Sequence, residues 1–305
     1  MSLTDRILEA SPGAPDNLDP WFEEKLASHI KAGLYPTESK VKEAAEKICQ
    51  FLKEYGAKHN MSDVAIGMSG GIDSALTASL FKQAGWTVHG ATLPIHQKQE
   101  ETERGIEAID FLRLEPYSFD LTKQYEAMSD FLAETETDHS SLVRQGNIRA
   151  RLRMITLYNL AHKVGGCVGS TDNFSELAAG FWTLHGDVGD IAPIQSLSKS
   201  WEVPAMAAHM GVPDKTLKAM PTDGLGISTS DNDQLGCSYL EFDIVLFELL
   251  KKGKLTRVPK ALKAKVDGVV NRVKSTAYKR SNPLNLDHPF DKKRFTLLEK
   301  FDKSQ

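Results

Sequence analysis

The chain has 305 residues, enough for one or two domains, and its 41% hydrophobic and 26% charged content is ordinary for a soluble globular protein. A net charge of -4 argues against a general nucleic-acid binder, and no apolar run approaches membrane-spanning length. The three cysteines, Cys49, Cys167 and Cys237, suit neither a disulfide framework nor a zinc site, so a reducing, cytoplasmic setting is expected.

Residues 1–36 read as an N-terminal extension, with turn formers concentrated in 11–20 (SPGAPDNLDP). From 37 to 56, Val41, Ala44, Ala45, Ile48, Phe51 and Leu52 recur at helical spacing and Gly56 supplies a stop. Val64-Ala65-Ile66 predicts a strand that runs into a glycine-rich turn and then a helix ending at Gly85. Residues 87–93 predict a second strand, and the short crossover makes it parallel to the first. A helix over 98–113, with Ile106, Ile109, Phe111 and Leu112 as its stripe, precedes a strand over 117–121 and a helix over 122–134. Residues 135–146 read as a polar loop, 147–163 as a long helix closed by Gly165-Gly166, and 167–170 as a short buried strand. This alternation predicts an α/β fold, a doubly wound, mostly parallel sheet flanked by helices, with ligands bound outside the carboxyl ends of the strands. Residues 213–237 read as a turn-rich surface loop able to act as a lid, and the basic run 251–279 as a solvated helical surface. The fold is expected to occupy 37–285, leaving 286–305 as a tail.

The chemistry concentrates in residues 67–74: Gly67, Met68, Ser69, Gly70, Gly71, Ile72, Asp73 and Ser74. A strand, a Gly-Gly turn and a helix start bring unpaired N–H groups and the helix dipole to one point, an anion site. Asp73 at the mouth of a phosphate site makes sense with Mg²⁺ between carboxylate and phosphates. Residues 169–176 repeat the strand-to-helix arrangement, with Thr171 or Asp172 as the expected N-cap and Glu176 one turn in as a second carboxylate. Arg149 and Arg153 share a helix face while Arg151 points elsewhere, since alternate helical positions lie about 200° apart. Phe181 and Trp182, followed by Asp187 and Asp190, suit a ring-stacking floor with polar contacts. Lys199 offers a point charge for phosphate, and Thr222 a hydroxyl.

The first of these motifs matches the SGGxDS signature of the ATP pyrophosphatases, which cut ATP between the α- and β-phosphates. The full order SGGIDS, NIRARLRM, GSTDNFSELAAGFWTLHGD, PIQSLSK, PTDGL, LGCSYLEFD, YKRSNP resembles the ammonia-dependent NAD synthetases, from about residue 40 to 285. The resemblance implies a homodimer with nicotinic acid adenine dinucleotide (deamido-NAD) near the subunit interface. It also implies adenylation of that carboxylate by ATP, then attack by ammonia to give NAD and AMP. By the same resemblance, Gly67 to Ser74 hold the ATP phosphates, Asp73 and Glu176 bind Mg²⁺, and Thr171, Lys199 and Thr222 contact ATP. Arg151, Asp190 and Lys279 contact the dinucleotide, and Asp187 lies near the ammonia site.

Against the family pattern, Leu184 stands where a dinucleotide-contacting Lys is usual, and His185 replaces a Tyr. Tyr278-Lys279-Arg280 replaces His-Lys-Arg, so Tyr278 and Leu184 take substrate-side positions. Pro94-Ile95-His96-Gln97 departs from the commoner Pro-Tyr-Gly. With no glutaminase domain in the sequence, free ammonia or a separate donor protein is the expected nitrogen source. Two alternatives remain: a related ligase adenylating another carboxylate, and a non-catalytic nucleotide-binding protein.

Overall fold

A computed structural model describes residues 1–135, 141–222, 224–227 and 230–281. The extension is helical: α1 (Leu3–Ala10) starts at a reciprocal Ser2/Asp5 capping box. α2 (Pro20–Lys31) starts at Asp19, which accepts the Trp21 N–H at 2.9 Å, with Pro20 where no amide is needed. α3 (Glu38–His59) runs through Gly56 and ends at left-handed Asn60. Gly56 is therefore no stop; a Cβ there would lie 2.9 Å from the Trp86 ring, so glycine serves close packing.

The central unit follows as β1 (Asp63–Gly67), α4 (Ile72–Gln83), β2 (Thr87–Thr92), α5 (Gln99–Leu112), β3 (Glu115–Ser118), α6 (Thr122–Thr135), α7 (Leu142–Val164) and β4 (Cys167–Val168). Every pairing is parallel and the order is β3-β2-β1-β4, in register Val64↔Val88, Val64↔Cys167 and His89↔Glu115. The chain moves outward from β1 to β3, then returns to lay β4 on the other side of β1. The reversal opens a crevice at the carboxyl ends of β1 and β4, where open α/β sheets bind ligands.

Alternation along β1 divides the core. Val64 and Ile66 face α3, α4 and α5, whereas Ala65 faces α6 and α7 through Tyr125, Leu160 and Ala161. The remaining elements are α8 (Phe174–Ala179), α9 (Glu202–His209), α10 (Asp214–Leu217), α11 (Asp231–Leu235), α12 (Tyr239–Lys252) and α13 (Lys263–Ser275). A separate core joins α12 and α13 to the extension, burying Ile7, Trp21, Phe22, Leu26 and Tyr35 against Phe242, Val245 and Leu246. Buried Glu248 of α12 also meets His29 of α2 at 3.1 Å.

Several sequence expectations shift. α7 begins at Leu142, capped by Ser141, inside the expected polar loop, of which 136–140 lie outside the described residues, as does the tail. β3 begins two residues early and stops at Ser118. On α5 the buried face is Gly105, Ala108, Ile109 and Leu112, while Ile106 and Phe111 are exposed. Phe51 of α3 is exposed too. Ranking by apolarity overlooked that small residues mark the buried face: a Cβ on Gly105 would lie 2.5 Å from the Met68 carbonyl oxygen. The 213–237 segment holds α10 and α11 and buries Pro221 and Asp231.

Candidate active site

The turn after β1 is tied by its own hydroxyls. Ser69 Oγ accepts the Gly71 N–H at 3.2 Å, and Ser74 Oγ donates to the Gly71 carbonyl at 3.0 Å. Gly70 has φ +81°, and a Cβ there would lie 2.5 Å from the Glu101 carbonyl oxygen, so only glycine fits against α5. α4 starts at Gly71 with no side-chain cap, which keeps its first amides for an incoming anion. Gly67, Met68, Ser69, Gly71, Ile72 and Asp73 line a cleft of about 620 Å³; Gly70 and Ser74 support it from behind.

Across the crevice, Asn173 caps α8, correcting the expected Thr171 or Asp172. Its side chain accepts the Glu176 N–H at 3.0 Å, and Glu176 accepts the Asn173 N–H at 3.3 Å. Asn173 also donates to Asp73 Oδ1 at 3.1 Å, joining the two turns. Asp172 is left to accept from Ser170 Oγ at 2.9 Å.

Lys199 is buried in the same crevice. Its ammonium pairs with Asp73 Oδ2 and stands 4.0 Å from Glu176 Oε1. Loss of water and the Asp73 charge hold the Glu176 carboxyl well above the usual carboxylate range. Burial works against the Lys199 charge, but Asp73 and Glu176 outweigh it and raise its pKa. Burial, with Asp187 and Asp73 nearby, pushes Asp172 up to about 7. Two carboxylates already flanking a cation are a donor set that fits a hard divalent ion such as Mg²⁺. Among the described residues no group of three His, Cys, Asp or Glu side chains is placed to hold a metal ion by itself, so a bound ion would need further ligands from substrate or water.

Other predicted residues divide by place. Thr171, Asp187, Thr222 and Lys279 line the cleft, as do Phe181 and Trp182. Asp187 is exposed to the cleft; the protein atoms crowding its carboxyl raise its pKa, although the Thr183 N–H donates to it at 2.5 Å. Lys279 donates to the Gly180 carbonyl at 2.7 Å and lies 5.5 Å over the Trp182 ring. Thr222 donates to Glu101 at 3.3 Å. Arg151, Leu184, Asp190 and Tyr278 lie outside the cleft wall. Arg151 donates to the Leu184 carbonyl at 3.3 Å, Tyr278 is exposed, and Asp190 accepts from Tyr158 and the Val168 N–H, each at 2.9 Å.

Sequence reasoning missed Asp231 and Arg272 in the wall. Arg272 lies 5.2 Å over Phe181 and donates to the Ala179 and Gln234 carbonyls, both at 3.1 Å. With Lys279 it makes part of the basic run site-facing, a correction to the solvated surface expected there. Arg149 and Arg153 were paired by spacing, and they grip one segment: Arg149 bonds the Leu225 carbonyl and Arg153 donates to the Gly224 carbonyl at 3.1 Å.

A family model described as NAD synthase matches residues 44–283. The chain belongs to the NAD synthase family. It is therefore an enzyme, a ligase that forms a carbon–nitrogen bond. The NH(3)-dependent NAD(+) synthetase of Alkaliphilus oremlandii is 32% identical over 248 residues, covering 78% of this chain and 94% of that protein. That of Methanocaldococcus jannaschii is 31% identical, covering 80% and 96%. Among solved structures, the NMN synthetase from Francisella tularensis aligns with a TM-score of 0.69 at 30% identity, over 81% of this chain and 99% of that one. The NH3-dependent NAD synthetase from Campylobacter jejuni aligns at 0.62 with 28% identity, over 81% and 99%. The family match begins eight residues beyond the extension, so α1 and α2 lie outside it.

Proposed function

We propose that this enzyme amidates deamido-NAD to NAD with ATP and free ammonia, through an acyl-adenylate, releasing AMP and pyrophosphate. The observation that carries this reading is the Lys199 ammonium set between Asp73 and Glu176 at an uncapped helix start. A carboxylate is a poor electrophile until adenylation gives it a leaving group, so no protein nucleophile is needed. The residues 67–74 cradle the triphosphate, with Thr171 and Thr222 as further ATP contacts. Lys199 neutralises charge that builds on the departing pyrophosphate, the kind of stabilisation worth about 10²–10³ in rate for one donor. Asp73 and Glu176 would hold Mg²⁺, which supplies Lewis-acid polarisation of phosphoryl oxygens. Asp187, open to the cleft and with a raised pKa, takes the surplus proton of the attacking ammonia.

The dinucleotide contacts are Arg151, Asp190, Tyr278 and Lys279, beside Leu184. All but Lys279 lie outside one chain's cleft wall, which supports a site completed by a second copy. Ile155 and Tyr158, exposed on α7 beside Arg151, and exposed Met128 and Phe131 on α6 supply apolar surface for a homodimer. No helix among the described residues is long and apolar enough to cross a membrane; the three cysteines, all free and buried, support a reducing, cytoplasmic setting.

A second reading keeps the chemistry and shortens the acid to the mononucleotide. Leu184 brings no charge to the substrate side, and the Francisella enzyme it resembles is an NMN synthetase. Chromatographic assay of AMP and amide product with MgATP, ammonium and each acid tests both. The main reading requires NAD from the dinucleotide at the higher kcat/KM. A preference for the mononucleotide establishes the second, and absence of ATP cleavage with either acid overturns both.

A further inference from the structure

The segment LGCSYLEFD has no part in the chemistry above, yet it places two groups behind Lys199. Asp243, on α12, is fully buried. Its Oδ1 accepts from Ser175 Oγ at 2.6 Å and its Oδ2 from the Ser200 N–H at 3.1 Å. Ser175 Oγ in turn accepts the Lys199 N–H at 2.9 Å. One carboxylate thus ties the first turn of α8, where Ser175 precedes Glu176, to the backbone amides on both sides of the Lys199 α-carbon. Tyr239, one turn earlier on α12, lies 5.7 Å from the Lys199 ammonium through its ring and donates its hydroxyl to Asp231 at 3.0 Å.

The polarity of this network needs an acceptor at both ends. Ser175 has one hydroxyl proton; donating it to Asp243 leaves a lone pair turned to the Lys199 N–H. An amide at 243 offers one acceptor and one donor to two donors, so it cannot keep both bonds and the Ser175 orientation. Lysine is a flexible four-carbon stem, so a fixed point charge requires a fixed backbone.

We propose that Asp243 is a positioning residue for the ATP-cleaving step, holding Lys199 and Glu176 at their mutual spacing through Ser175. The proposal rests on the adenylating function of the site. Single-turnover pyrophosphate release from γ-radiolabelled ATP, with the acid substrate present and ammonia withheld, is measured for wild type, Asp243→Asn, Ser175→Ala, Lys199→Met, and the two double variants carrying Lys199→Met. Asp243→Asn and Ser175→Ala are each expected to slow adenylation about 10- to 100-fold, within the range for a displaced catalytic group. In the Lys199→Met background either change is expected to cost less than about 2-fold, because residues acting as a unit are non-additive. Equal losses in both backgrounds would mean a merely structural role and overturn the proposal, as would unchanged rates in both single variants. If Asp243→Asn does not fold, Ser175→Ala, which loses only a hydroxyl, decides alone. Failure of wild type to release pyrophosphate would instead overturn the function on which the proposal rests.

Discussion

Asp73 shows how one side chain is held for two tasks. Its Oδ1 is spent on Asn173, which fixes the carboxylate plane, and its Oδ2 faces Lys199 and the cleft. Asp73→Asn keeps the shape and removes the charge, so turnover is expected to fall by about 10³ or more while the melting temperature stays within a few degrees of wild type. Near-normal steady-state AMP release by that variant would remove Asp73 from the proposed metal site. The residue types around Asp73 were readable from the motifs; the partnership of Asn173 with Asp73, a hundred positions apart, was not. Nothing local distinguishes Asn173 from Asp172 as the cap until the fold shows which carboxylate is committed elsewhere.

The glycine turn is built by contact between elements. With φ +81° and α5 lying against it, Gly70→Ala adds left-handed strain of roughly 1–2 kcal/mol and a backbone clash. A loss of at least about 2 kcal/mol in urea unfolding is expected, together with weaker ATP binding; a variant as stable as wild type would show that the turn has other room. At the opposite side, α2 is part of a core and not an appendage. Phe22→Ala should cost about 3–5 kcal/mol by the same measurement. A cost under about 1 kcal/mol would mean that α2 detaches before the rest unfolds. The sequence marked residues 11–20 by their turn formers but could not reveal that Trp21 and Phe22 meet α12 more than two hundred residues later.

Across the whole molecule, buried acids lining the crevice and behind it resist ionisation. Asp172 and Asp243 have pKa values raised to about 7 and about 6, so the folded protein holds their protons more readily than the unfolded chain does. Their contribution to stability is complete below the ordinary carboxylate range and is lost as pH rises through 6 to 7. His29 acts oppositely: burial lowers its pKa, and stability falls as pH drops below its ordinary 6.5. Asp172→Asn should therefore be more stable than wild type at pH 8, by an amount on the order of a few kcal/mol, with the gap closing towards pH 5. Thermal melts across that range check it, and a gap independent of pH would assign the effect to packing.

By itself the sequence determined the parallel α/β alternation, the glycine-rich turn after β1 and the family, because these depend on local spacing and on residue types within short motifs. Helix starts with weak apolar signal, such as Leu142, and buried faces built from glycine and alanine escaped it, since packing and not composition decides them. Only the tertiary structure decided that Lys199 stands between Asp73 and Glu176, that Arg272 turns inward, and that Asp243 of α12 holds Ser175 and Ser200, the neighbours of Glu176 and Lys199. Those relations come from the return of β4 beside β1, a long-range pairing that brings two distant helix starts to the same crevice.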